Sequence, residues 1–120
     1  MSLSFNLGRQ GEKDAVDYLT ANGYTILERN WIYNHKELDI IARYGDELHI
    51  VEVKTRSSDF WQTPNEVVGR KKQRNMIEVA NAYIQQKNLD NPVIFDIVYI
   101  LTTGKETNIE LLPDAFTIFE

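Results

Sequence analysis

Apolar residues early in the chain recur at helical spacing. Gly8, Ala15, Val16 and Leu19 share one stripe, which predicts a helix over about 9–22 with Gly23 as its stop. YTILERN (24–30) then reads as a strand, and WIYNHK turns the chain. ELDIIAR (37–43) and LHIVEVKT (48–55) read as two strands joined by a tight YGDE turn, a hairpin pattern. RSSDFWQTPN (56–65) is a polar loop carrying Phe60 and Trp61. A second helical stripe follows, made of Met76, Ile77, Ala80, Tyr83 and Ile84, and runs to about Lys87. Its start is open between two sites. TPNE (63–66) has the form of a capping box with Pro64 at the first helical position, whereas Gly69 can itself be the N-cap. VVG is a poor first helical turn, which favours the later start. NLDNP (88–92) ends this helix, VIFDIVYIL (93–101) reads as a buried strand and NIELL (108–112) as an edge strand. The order α-β-β-β-α-β-β predicts an α/β fold, a mixed sheet with helices packed on it.

The charges inside the apolar strands change this picture. Side chains alternate along a strand, so Glu37, Asp39 and Ile41 are expected on one face, and Leu48, Ile50, Glu52 and Lys54 on one face of the next strand. If those faces coincide, Asp39, Glu52 and Lys54 meet near one end of the sheet. Two carboxylates in close approach either raise a pKa or call for a cation, and oxygen ligands of this kind suit Mg²⁺. A metal held there suits phosphodiester hydrolysis, with Lys54 orienting water or neutralising phosphate charge. A Glu-x-Lys strand is also common as a solvated cross-strand ion pair. Asp39, flanked by Leu38 and Ile40–Ile41, fits that plainer role less well. Glu12 is a second oddity, since its helical phase places it between Ala15, Val16 and Leu19. A buried glutamate needs a partner, and Gly8 and Gly11 beside it allow close approach of a backbone or ligand.

Composition bounds the reading. The 120 residues make one domain, 42% hydrophobic and 26% charged, as in ordinary globular proteins. With no cysteine, disulfides and thiolate chemistry are excluded. No apolar run approaches membrane-spanning length and MSLSFNLGRQGE lacks a signal-peptide core, so a cytoplasmic location and no membrane partner are expected. The net charge of −5 argues against coating nucleic acid through bulk electrostatics. The positives are nonetheless uneven, with four of the 13 Lys and Arg residues in GRKKQR (69–74). Arg70, Lys71, Lys72 and Arg74 there oppose the helix dipole unless a phosphate binds, and Lys72 lies one turn before Met76 on the sheet-facing side. Phe60 and Trp61 suit stacking on an unpaired base or, as favoured, a core or dimer contact, Trp31 and Tyr33 share that ambiguity, and His35 and His49 do not make a convincing metal pair.

GRQGEKDAVDYLTANGYTILERN, ELDIIA, VEVKTR, VGRKKQ and FDIV, in this order, resemble the YraN-like family of uncharacterised bacterial proteins. That family looks like a branch of the PD-(D/E)xK nuclease superfamily and is similar in layout to archaeal Holliday-junction resolvases. The resemblance runs from Gly8 to Phe116. It implies a restriction-endonuclease-like core with Asp39, Glu52 and Lys54 at the metal-binding and catalytic positions. Glu12 would complete the metal site, Glu37 would support it, and Lys72 would be the family's second-helix lysine. The implied function is a Mg²⁺- or Mn²⁺-dependent endonuclease acting on branched, nicked or otherwise structured DNA, with Arg56, Arg70, Lys71, Lys72 and Arg74 on the nucleic acid and a homodimer as the assembly for cutting two strands. The alternative is a binding or interaction module that keeps the fold without cleavage. Two residues depart from the pattern. Lys36 stands where glycine is usual, and Ile94 stands where arginine often precedes FD; if that arginine normally pairs with the aspartate, Asp96 lacks that partner here.

Overall fold

The computed structural model describes residues 3–57, 64–103 and 105–117. Their elements are α1 (Leu3–Ala21), β1 (Thr25–Tyr33), β2 (Lys36–Tyr44), β3 (Glu47–Arg56), α2 (Pro64–Val67), α3 (Arg70–Lys87), β4 (Val93–Thr103) and β5 (Glu106–Phe116). The strands form one mixed sheet in the order β1-β2-β3-β4-β5. Neighbours are antiparallel except β3 and β4, which run parallel and are joined by the crossover through α3. No helix among the described residues is long and apolar enough to cross a membrane.

Both expected starts of the second helical region are realised. Pro64–Val67 makes a single turn, and Gly69, extended at φ −70° and ψ 171°, opens α3 at Arg70 with no side-chain cap. α3 ends on Asn88 in the left-handed region, whose N–H bonds back to the last turn. The strands run longer than expected at both ends of the sheet. β1 continues through WIY because the turn is only Asn34-His35, both at positive φ, and β5 extends from Glu106 to Phe116.

Each face of the sheet buries one apolar set. Ala15 and Leu19 of α1 cover Ile40, Ala42, Val51, Val98 and Ile100. On the other face, Met76, Val79, Ala80 and Tyr83 of α3 pack on Leu38, Ile41, Ile50, Ile97 and Tyr99. Trp31 joins this second layer, edge-on to Tyr83 at 5.1 Å, so it is an anchor of the core. Tyr33 is 39% exposed, and Phe60 and Trp61 lie outside the described residues. Lys36 is held by Glu78 of α3 at 2.9 Å, tying the start of β2 to that helix.

In place of the arginine, Asp96 has other partners. It is fully buried on β4, paired with His49 Nδ1 on β3, and its other oxygen accepts the Asp114 N–H at 2.8 Å. His49 Nε2 also meets Glu47 at 3.1 Å. Burial pushes the His49 pKa down, but the hydrogen bond and charge of Asp96 outweigh it and leave the value raised.

α1 lies unusually close to β3 at one point. A Cβ on Gly11 would sit 2.0 Å from Thr55 Oγ1 and 3.3 Å from Thr55 Cβ. Only glycine fits there, whereas Gly8 has nothing within 4 Å of a built Cβ. The clash exceeds the helix propensity gained, so Gly11→Ala is expected to destabilise the protein by about 1–2 kcal/mol. Adding Thr55→Ala should recover most of that loss. Urea titrations of the two single variants and the double variant check it; additive effects would count against the contact.

Candidate active site

Along β2 the inside–outside alternation breaks. Leu38 and Ile41, three positions apart, both join the α3 layer, while Ile40 between them joins the α1 layer. Asp39 sits within this irregularity. The β2–β3 ladder runs from Tyr44↔Glu47 to Ile40↔Val51 and goes no further, although β3 continues beside β4 to Arg56. The Asp39 carboxylate takes over where the ladder stops, its Oδ2 accepting the Val53 N–H at 2.9 Å. The expected sharing of a face by Asp39 and Ile41 is therefore not a matter of simple alternation. The carboxylate is positioned by a backbone hydrogen bond at the parting of two strands.

A cleft of ≈360 Å³ opens at that parting, lined by Glu12, Asp39, Glu52, Lys54, Thr55 and Arg56 among others. Glu52 is 3% exposed, and its Oε1 has no hydrogen-bond partner. Its Oε2 is approached by two ammonium groups, Lys54 at 3.6 Å and Lys72 of α3 at 3.8 Å. Asp39 lies within proton-sharing reach of Glu52. Burial, then the Glu52 charge and that shared proton, push its pKa up to about 7; the Val53 N–H and Lys72 pull the other way.

Glu12 reaches the rim of the same cleft, half-buried, but is engaged elsewhere. Its Oε1 accepts from Asn30 Nδ2 at 2.8 Å, and the same amide donates to Glu37 Oε1 at 3.0 Å. Burial raises the Glu12 pKa, the Asn30 bond lowers it, and the charges of Asp39 and Glu37 raise it again. Among the described residues no group of three or more His, Cys, Asp or Glu side chains is arranged to hold a metal ion. The structure thus gathers Asp39, Glu52, Lys54, Arg56 and Lys72 in or beside the cleft, with Glu12 at its edge. Glu37 is exposed behind Asn30, and Arg70, Lys71 and Arg74 are exposed on the first turns of α3.

Asn30 went unremarked in the sequence, though it links two of the acidic positions. It sits in β1 at φ 53°. Asparagine within a strand-forming run is the signal, because it is poor in strands yet tolerates the left-handed region.

The family model of the uncharacterised protein family UPF0102 matches residues 11–100. A UPF0102 protein of Parabacteroides distasonis is 47% identical over 116 residues, 97% of this chain and 96% of that one. Another from Hahella chejuensis is 39% identical over 115 residues, covering 95% and 92%. The chain belongs to the UPF0102 family, the YraN-like family that its motifs resemble. Among solved structures, Hjc of Archaeoglobus fulgidus, a Holliday junction resolvase, aligns over 88% of this chain and 76% of that one, with a TM-score of 0.46 and 14% identity.

The raised Asp39 value has a sign that can be tested. Asp39 binds its proton more tightly folded than unfolded, so the stability it lends is complete below about pH 4 and is lost as pH rises through about 7. Without added divalent cations, Asp39→Asn should melt close to the parent protein at pH 4.5 and several degrees above it at pH 8. His49, whose folded value is also raised, contributes the same slope to both proteins and cancels. Melting curves across this range decide the matter; a difference independent of pH would remove the carboxylate pair as its cause.

Proposed function

We propose that this protein is a divalent-metal-dependent endonuclease that hydrolyses DNA phosphodiester bonds at the Asp39–Glu52 cleft. One observation carries the reading. Glu52 is buried with an oxygen that lacks a donor, beside a second carboxylate, in a cleft that opens to solvent. An unsatisfied buried acceptor costs on the order of 1–3 kcal/mol, a cost that a cation would remove. Two protein carboxylates with the remaining ligands from water are a sufficient set for Mg²⁺ or Mn²⁺, so the residues present fit such an ion. Asp39 and Glu52 would hold it. Bound there, it would supply positive charge to the phosphate and acidify a water.

The chain's own groups divide the remaining work. Lys54 shares the cleft with Glu52 and can orient water or neutralise charge on the transferring phosphate. Lys72 reaches the same carboxylate from the start of α3, where the N–H groups have no side-chain cap and favour an anion. Arg56 lines the cleft beside Lys54 and suits a neighbouring phosphate. Branched, nicked or otherwise structured DNA is the substrate class that the motif resemblance favours. Glu12, tied to Asn30, supports a second reading, because it does not complete a three-carboxylate set. On that reading the protein binds nucleic acid without cutting it.

Calorimetric titration with Mg²⁺ and Mn²⁺, followed by cleavage assays on linear and branched DNAs, separates the two. The parent protein should bind metal and cut. Asp39→Asn and Glu52→Gln should lose metal affinity at least about tenfold. Lys54→Ala should bind DNA nearly as the parent does, yet cleave it about 10²-fold more slowly at saturating DNA. Lys71→Ala should keep its turnover and lower the salt slope of binding by about one. Cleavage by Lys54→Ala at the parent rate would reject its catalytic role, and binding without any cleavage would leave the non-catalytic module.

A further inference from the structure

The proposed chemistry uses the cleft around Asp39 and Glu52 and the first turns of α3. It leaves the other side of Glu12 without a role. There Arg9 of α1 and Arg29 of β1 line a hollow of ≈370 Å³ together with Glu12 and Asn30. The same two arginines, with Gln10 and Lys13, line an adjoining hollow of ≈530 Å³. Glu12 in turn lines the carboxylate cleft. The two Arg9–Arg29 hollows form a trough beside the cleft, with Glu12 on the boundary between them.

The charge of this trough is at odds with the rest of the chain. The protein carries a net −5, yet the two hollows beyond the cleft are lined by Arg9, Arg29 and Lys13 against one carboxylate, with Lys13 paired to Asp17 at 3.1 Å. That carboxylate, Glu12, is held by Asn30. Arg29 is exposed on an edge strand, close enough to Glu12 for its charge to lower that carboxylate's pKa, and its guanidinium still lines both hollows. The trough is open, and most of its walls are exposed side chains. That shape suits a repeating, solvated anion better than a single sequestered phosphate. Guanidinium groups also match phosphate geometry.

We propose that the Arg9–Arg29 trough binds the phosphodiester backbone of the DNA strand on the α1 side of the cut. The protein then grips the strand on both sides of the scissile phosphate, with the basic turns of α3 on the other side. The contact reads charge and spacing, not base identity. This inference rests on the nuclease reading of the cleft and adds a binding surface that the catalytic residues do not supply.

Fluorescence anisotropy with labelled branched DNA, in Ca²⁺ to read binding without turnover, tests it over a range of salt. Arg9→Gln/Arg29→Gln should bind more weakly, with a salt slope lower than the parent's by about 1.5–2. Arg9→Lys/Arg29→Lys should keep most of the slope, because the charges remain. Neutral methylphosphonate linkages placed on one side of the cut should weaken the parent but not the glutamine variant. If the double variant does not fold by circular dichroism, each single glutamine variant should lose about one unit of slope. An unchanged slope in the glutamine variants, while Lys71→Ala still lowers it, would overturn the trough and leave the nuclease reading standing. A parent protein that binds no DNA at any salt would overturn both.

Discussion

The candidate site depends on one hydrogen bond, from the Val53 N–H to Asp39 Oδ2. Where β2 leaves β3, a strand in the middle of the sheet loses its neighbour and its amide needs another acceptor. A carboxylate supplies it. The same bond that satisfies the backbone brings Asp39 beside Glu52 and keeps the cleft open at that level of the sheet. A neutral acceptor would close the strand edge as well, but would leave no pair of acids. Structure and candidate chemistry therefore meet in one side chain.

Around this pair the protein arranges cations at graded distance. Lys54 of β3 and Lys72 of α3 both approach the one oxygen of Glu52 that is not left bare. Neither forms a close ion pair, and both are substantially exposed, so the attraction is softened by solvent. Asp39 stays raised in spite of Lys72. The two lysines thus compensate the site without neutralising it, which leaves the carboxylates receptive to a harder, more concentrated charge.

Much of this was legible in the chain. The YGDE hairpin, the two apolar stripes and the strand after NLDNP yield the element order, because each is a local pattern of strong periodicity. Glu12 and Lys72 stood out through helical phase alone, and both reach the rim of the cleft or its carboxylate. What escaped depended on contacts remote in sequence or on broken periodicity. The partner of Asp96 is His49, on a different strand, and nothing near either residue announces the other. The slip in alternation between Leu38 and Ile41 is invisible in a run of apolar residues, since any register buries them. Asn30 joins Glu12 and Glu37 only because β1 turns left-handed at that residue.

The sheet topology has a consequence for the order in which the molecule assembles. β2 and β3 form a hairpin, so Asp39 and Glu52 come together through local chain closure. Lys72 and the β4 neighbour of β3 arrive only when the long crossover through α3 has docked, and such nonlocal parallel pairing is slow. During folding the two acids therefore come together with Lys54 of the same hairpin as their nearby cation, and Lys72 joins them later. An ion that favours the finished cleft would also favour its earliest precursor, acting as a nucleation aid as well as a ligand.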